Sequence, residues 1–163
     1  MNLFDDPDDP RWKLLGVAEE QLEQAATREA VIEVVRITAR HACSADGVCF
    51  VLREGDLCHY VEEDAIAPLW KGHRFPISTC ISGWSMLHAQ TAVIEDVFAD
   101  PRIPHDVYRK TFVKSLIMVP VGTDGSVAAI GAYWQDKRRF TDREIAAVKT
   151  MARLVGEALA EMI

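Results

Sequence analysis

Apolar residues recur first at helical spacing, then at strand spacing, then at helical spacing again. Asp9-Pro10 offers an N-cap followed by the residue best suited to a first helical turn, and Leu14, Ala18, Leu22 and Ala25 come behind it. The pattern resumes after Thr27 with Val31, Val34, Val35, Thr38 and Ala42. It predicts one long helix, or two with a break near Thr27, ending before Asp46-Gly47. From Gly47 the period shortens. "GVCFVLREG" is rich in strand formers and stops at Gly55, and "LCHYVEE" alternates after it. Together they predict a hairpin over Glu54-Gly55-Asp56. "HRFPI" is a short extended piece that Pro76 confines to an edge or a strand end. "ISGWSMLHAQ" suits a short helix, "TAVIED" a strand, and "PHDVYRKT" a short helix in a crossing segment. "SLIMVPVG" and "VAAIGAYWQD" read as strands joined through the turn "TDGS".

The last stretch is helical. Thr141-Asp142-Arg143-Glu144 has the form of a capping box. Ile145, Val148, Ala152, Val155, Leu159 and Met162 then make one apolar row, with Ala147, Met151, Leu154 and Ala158 beside it. A helix with two apolar rows needs two surfaces to pack on. The sheet is one, and the first helix or a partner chain is the other. The stripe still runs at Ile163, which implies continuation into a longer protein or pairing across a dimer. This order of elements predicts an α+β fold: a central antiparallel sheet of five to six strands with the N- and C-terminal helices on one face. The other face, under the crossing segment, is left to enclose a pocket.

The 163 residues fit one domain, and no repeat or low-complexity linker marks a second. A composition of 49% hydrophobic and 26% charged residues is that of an ordinary globular protein. A net charge of −7 disfavours non-specific nucleic-acid or membrane-surface binding. The one basic knot, Lys137-Arg138-Arg139, reads as a solvated hairpin end or a partner contact. The start "MNLFDDPDDP" is acidic where a secretory signal would be basic. Cys43, Cys49, Cys58 and Cys80 form no Cys-x-x-Cys pair, so free thiols in a cytoplasmic protein are the expectation.

Candidate chemistry gathers between Thr79 and Tyr133. Cys80 precedes a helix start, where a thiol is acidified; the other reading is a small apolar residue under the helix. Trp84 opens that helix, as core or as a ligand platform. Asp96, Asp100 and Arg102 form a polar cluster: an arginine and carboxylates for ligand recognition, or loop architecture in which each aspartate bonds its own backbone. His105, Tyr108 and Phe112 share a helical face that would make an aromatic lid with one titratable tip. Tyr133 and Trp134 are neighbours on a strand, so one faces the pocket side and the other the helices, and by the same alternation only one of Ile117 and Met118 can line the pocket. The same alternation keeps Cys58 and His59 from sharing a metal, and no metal site is expected. His88 and His41 belong to helix ends. No nucleophile elbow, zinc-binding helix, phosphate loop or dinucleotide fingerprint is present, and no catalytic residues are assigned.

The motifs "CISGWSMLHAQTAVIEDVFADPRIP", "FVKSLIMVPV" and "IGAYW", and the capped helix from "FTDREI", together resemble a GAF domain, the small-molecule sensor module of bacterial signalling proteins. "ADPRIPHDVYRKTFVKSLIMVPV" is similar to GAF domains in front of sensor histidine kinases of the HWE type. The resemblance implies a GAF/PAS-like sheet, a GAF domain over residues 27–163, and a helical extension over 1–26. It implies a ligand pocket drawn from Cys80, Trp84, Asp96, Asp100, Arg102, His105, Tyr108, Met118 and Tyr133. It further implies a homodimer through the terminal helices, with a histidine kinase or other output domain as partner. The ligand is not encoded, and the cofactor stays unknown. Some free-standing GAF domains resemble reductases of free methionine sulfoxide, with a cysteine in the crossing segment. Asp96 to Ser115 contains none, which speaks against that enzyme and against a covalent bilin; haem is disfavoured too. Two alternatives stay open: a reductase of this kind in which Cys80 attacks the sulfoxide and Cys49 or Cys58 resolves, and a ligand-free dimerisation module.

Overall fold

The computed structural model describes residues 8–122 and 127–162; the acidic start 1–7 and the expected turn over 123–126 lie outside them. The N-terminal helical pattern resolves into two helices. α1, Pro10–Gln24, begins at Asp9, whose carboxylate accepts from the Arg11 amide at 3.0 Å. α2, Arg28–Ala42, begins at Thr27, whose hydroxyl accepts from Ala30 N at 3.1 Å. Ala25 and Thr27 are both extended, so a second cap starts a new helix where the first runs out.

Six strands follow: β1 Gly47–Glu54, β2 Leu57–Ala65, β3 Arg74–Pro76, β4 Ala92–Ile94, β5 Ser115–Val121 and β6 Ala128–Trp134. They form one sheet in the order β3-β2-β1-β6-β5-β4, antiparallel throughout. The hairpin joining β1 to β2 turns at Gly55, whose φ of 62° suits glycine. β3 is an edge strand, as Pro76 requires. Between β3 and β4 lies α3, Ile81–His88; between β4 and β5 run a 3-10 turn, Val97–Ala99, and α4, His105–Tyr108. α5, Asp142–Ala160, carries the complete capping box at Thr141 and Glu144.

Strand alternation sorts the core into two layers. Val48, Phe50, Ile117, Val119, Ile130, Ala132 and Trp134 face the long helices. Cys49, Val51, Cys58, Tyr60, Leu116, Met118 and Tyr133 face α3, α4 and the crossing segment. With both faces covered, β5 and β6 read as unbroken apolar runs. Both apolar rows of α5 are used inside the chain, since the helix packs on β5 and β6 and also on α1 and α2. The second surface that α5 needs is therefore supplied by the first helices. α1 keeps Leu14 and Val17 turned outward, 38% and 45% exposed. No helix among the described residues is long and apolar enough to cross a membrane.

Candidate functional site

The sheet face away from the long helices forms the floor of a chamber. Cys49, Cys58, Tyr60, Met118 and Tyr133 rise from it, and Ile81 and Met86 of α3 and Tyr108 of α4 close over them. Trp70, from the β2–β3 loop, enters this space and is 5% exposed. Its ring lies 4.8 Å from Tyr108, 5.5 Å from Tyr133 in an edge contact, and 5.8 Å from Tyr60. Tyr60 also meets Phe75 edge-on at 5.5 Å. Edge and tilted arrangements of this kind suit the aromatic quadrupole. The chamber is thus lined by tyrosines and filled by the protein's own tryptophan.

Tyr133 lies back along its strand over Gly131: a Cβ at Gly131 would stand 2.5 Å from the Tyr133 hydroxyl and 2.7 Å from Met118 Cε. Only glycine leaves room for that phenol. Its hydroxyl is buried beside the Cys49 thiol and has no hydrogen-bond partner of ordinary geometry among the described residues. Burial pushes the phenol pKa well up, so the group is a neutral donor. An orphaned buried hydroxyl is costly and calls for an explanation.

Trp70 is positioned by Glu63 at the end of β2. The Glu63 carboxylate accepts from the backbone amides of Leu69 at 2.9 Å, Trp70 at 2.8 Å and Lys71 at 2.8 Å. Glu63→Ala strips all three amides of their acceptor and is expected to lower stability by about 1–3 kcal/mol. The indole should redden in fluorescence as the loop loosens. A urea midpoint and emission maximum equal to those of the parent chain would show that the carboxylate does not moor this loop.

The expected site residues fall into three groups. Cys80, Tyr108, Met118 and Tyr133 line the chamber. Trp84, Asp100, Arg102 and His105 form a second group, joined to the chamber residues through Trp84, which packs against them. Arg102 pairs with Asp100 through Nε at 3.0 Å and Nη2 at 2.7 Å, and lies 4.3 Å over the Trp84 ring. That pairing, with the Arg102 amide, holds the Asp100 carboxyl below its ordinary range. His105 Nε2 donates to the Asp100 carbonyl at 3.0 Å, since a carbonyl can only accept. Asp96 stands apart: its carboxylate caps the 3-10 turn at Phe98 N and meets Lys137 Nζ at 3.2 Å. The expected lid face is one turn long, because α4 ends at Tyr108 and leaves Phe112 beyond it. Arg138, from the basic knot, is held by Glu144 at 2.7 Å.

The four thiols are not equivalent. Burial raises the Cys43 thiol to about 12 and raises Cys49 as well. Cys58 and Cys80 are packed in the same buried cluster and act on each other's acidity. Cys58 donates, which lowers Cys80 from 9.0 to about 6 and raises its own pKa. Ser82 Oγ, 3.4 Å from Cys80 Sγ, and the Gly83 amide favour the Cys80 thiolate further.

Sequence reasoning on the site missed Tyr60, Trp70, Ser82 and Glu63. Tyr60 was accessible, because it shares the alternation of "LCHYVEE" with Cys58. Trp70 and Glu63 were not, since a loop residue's inward course leaves no periodic trace. On the helix face, a groove of about 1120 Å³ runs beside the second half of α5, lined by Ile32, Leu52, Val61, Val119, Arg153 and Leu159 among others. This groove is on the face opposite to the one where a pocket is expected, and on that other face the side chains pack into a closed core.

The sequence matches the GAF domain family over residues 20–160. No curated protein sequence matches it significantly. Solved structures of the same fold include the free methionine-R-sulfoxide reductase of Neisseria meningitidis in complex with its substrate. That structure has 18% identity, a TM-score of 0.79, and coverage of 96% of this chain and 94% of that one. The GAF domain of an Acinetobacter phosphoenolpyruvate-protein phosphotransferase is 11% identical, with TM-score 0.78 over 94% and 95% of the two chains. A putative GAF sensor protein from Burkholderia vietnamiensis is 18% identical, with TM-score 0.76 over 93% and 94%.

Proposed function

This chain belongs to the GAF domain family, and from that premise we propose that it is the small-molecule-sensing input of a bacterial signalling system of the sensor histidine kinase type. The observation that carries the reading is the Tyr133 hydroxyl, buried and unpaired in an aromatic chamber on the sheet face opposite the long helices. A planar or apolar small molecule with a hydrogen-bond acceptor takes the place of the Trp70 indole and satisfies that hydroxyl. Arg102, Asp100 and His105, with Trp84 beneath the guanidinium, receive the polar end of the ligand. Cys80, Met118 and Tyr108 complete its walls, and Asp96 acts from outside by shaping the turn.

Transmission follows from alternation. Tyr133 and Trp134 are neighbours on β6, as Met118 and Ile117 are on β5, and one member of each pair faces each layer. A ligand that moves the chamber side of these strands moves the surface on which α5 rests. The ligand shifts a two-state equilibrium of the helices by its preference for one state. We place this in a cytoplasmic homodimer, with Leu14 and Val17 of α1 as the outward apolar surface that a second copy would cover.

The same chamber favours one other reading, a ligand-free dimerisation module, because Trp70 already fills it. Native mass spectrometry of freshly purified protein beside a denatured sample separates the two. The sensing reading expects a dimer with an added mass that is lost on denaturation. A bare dimer that stays bare through a ligand screen overturns sensing in favour of the module. A monomer even at high concentration overturns transmission through paired helices.

A further inference from the structure

Cys58 and Cys80 are far apart in sequence and meet because of the β2–β3 register. Cys58 lies opposite Phe75 on β3, and four residues after Pro76 the chain reaches Cys80, the N-cap of α3. Cys58 is completely buried, while Cys80 keeps 7% exposure on the outer side of the pair. The Ser82 hydroxyl reaches Cys80 Sγ at 3.4 Å and the Tyr60 hydroxyl at 2.9 Å. Ser82 has one proton, so when it donates to the sulfur, Tyr60 must be the donor to Ser82. A relay of hydroxyls therefore ends on one sulfur, with a second thiol against it.

We propose that Cys58 and Cys80 are a reversible redox site, closing to a disulfide when a hydroperoxide oxidises Cys80. The Cys80 thiolate attacks a peroxide oxygen, the O–O bond breaks, and Cys80 becomes a sulfenic acid. The leaving alkoxide or hydroxide takes up a proton. Cys58 then gives up its proton and attacks the Cys80 sulfur, the S–O bond breaks, and hydroxide leaves as water. The sum is two thiols and one hydroperoxide going to a disulfide, an alcohol or water, and a water. A dithiol reductant returns the pair by exchange. Cys80 is the attacking residue because it is the less buried of the two and the one whose thiolate is stabilised. The groups facing it are Cys58 and Tyr60 from β2, Ser82 and the Gly83 amide from α3, Tyr108 from α4, and the Pro76 carbonyl at 3.6 Å. None of these is charged at neutral pH, so the thiolate rests on hydrogen bonds and not on a cation. The bond would close a loop holding Tyr60, Trp70 and Phe75, so oxidation would fasten the segment that fills the chamber.

The test uses the full chain, reduced, desalted and exposed to hydrogen peroxide at pH 7, followed by non-reducing peptide mapping. The expected product has lost two hydrogens, maps to a Cys58–Cys80 peptide and reverts with dithiothreitol. In Cys58→Ser the reaction should stop at a Cys80 sulfenic acid that dimedone traps; in Cys80→Ser neither product should form. A chain that keeps all its thiols at peroxide levels that oxidise free glutathione overturns the proposal, as does a disulfide mapping to Cys43 or Cys49. Should the variants fail to fold, iodoacetamide labelling of the unmodified chain decides. Cys80 should label at least about tenfold faster than Cys49 at pH 7, with its rate rising through about pH 6 instead of 9. An ordinary thiol midpoint at Cys80 overturns the proposal. None of these readouts depends on a ligand, so they stand or fall apart from the sensing reading.

Discussion

Gly83→Ala is expected to leave little folded protein. A Cβ at this position in α3 would stand 1.8 Å from the Ile77 carbonyl oxygen and 2.6 Å from its carbon. Both are backbone atoms, so no rotamer change relieves the clash. Ile77 cannot retreat easily, because its amide is tied to the Asp56 carbonyl at 2.8 Å. The helix must lift instead, and it takes with it Ile81, Ser82 and Met86, all fully buried. Overpacking costs about 1–3 kcal/mol where side chains can yield; here the backbone must move, and roughly 3 kcal/mol or more is the expectation. Against a total stability of about 5–15 kcal/mol, that is a large share. Urea denaturation is the check, read as a lower midpoint with a similar slope. Gly131→Ala is the informative contrast, since its Cβ meets the movable ends of Tyr133 and Met118 and should cost less. If Gly83→Ala unfolds at the parent's midpoint, α3 does not lie on Ile77 as described.

Trp70→Ala is expected to cost about 3–5 kcal/mol, the range for removing a large aromatic from a core. The space it vacates is lined by the rings of Tyr60, Tyr108 and Tyr133, which are held by the sheet and α4. Those walls collapse only partly, and an apolar cavity of that shape binds a small aromatic. Indole should therefore raise the melting temperature of the variant in a concentration-dependent way while leaving the parent unchanged. This links stability to the proposed function, because the variant opens the chamber that a natural ligand must open. Unchanged stability without any response to indole would mean that Trp70 is not seated in the chamber.

Much of the architecture could be read before any coordinates. Thr27 is an instance: an N-cap residue inside a continuous apolar pattern marks a possible break, and the structure starts a new helix there. The two-row pattern of α5 was legible as a demand for two surfaces. Which surface met the second row was not legible, because the pattern does not distinguish α1 and α2 from a partner chain. At the site, the Asp-x-x turns behaved as their chemistry dictates, with Asp96 and Asp100 each bonding an amide two residues on. Arg102 was legible as a member of that polar cluster, while its pairing with Asp100 alone and its seat over Trp84 were not.

The sequence by itself determined the element order, the caps, and that neighbours on β5 and β6 face opposite sides. Those are local properties, set by backbone geometry within a few residues; that Tyr133 and Met118, and not Trp134 and Ile117, took the chamber side was decided by the packing of the sheet. Only the tertiary structure decided that Trp70 fills the chamber, that Glu63 holds it there, and that Cys58 meets Cys80. Each of these joins residues whose separation has no period, through a strand register and a loop course that the whole sheet fixes at once. The neighbouring thiol, which lowers the Cys80 pKa against the upward push of burial, is in place only once that register is made.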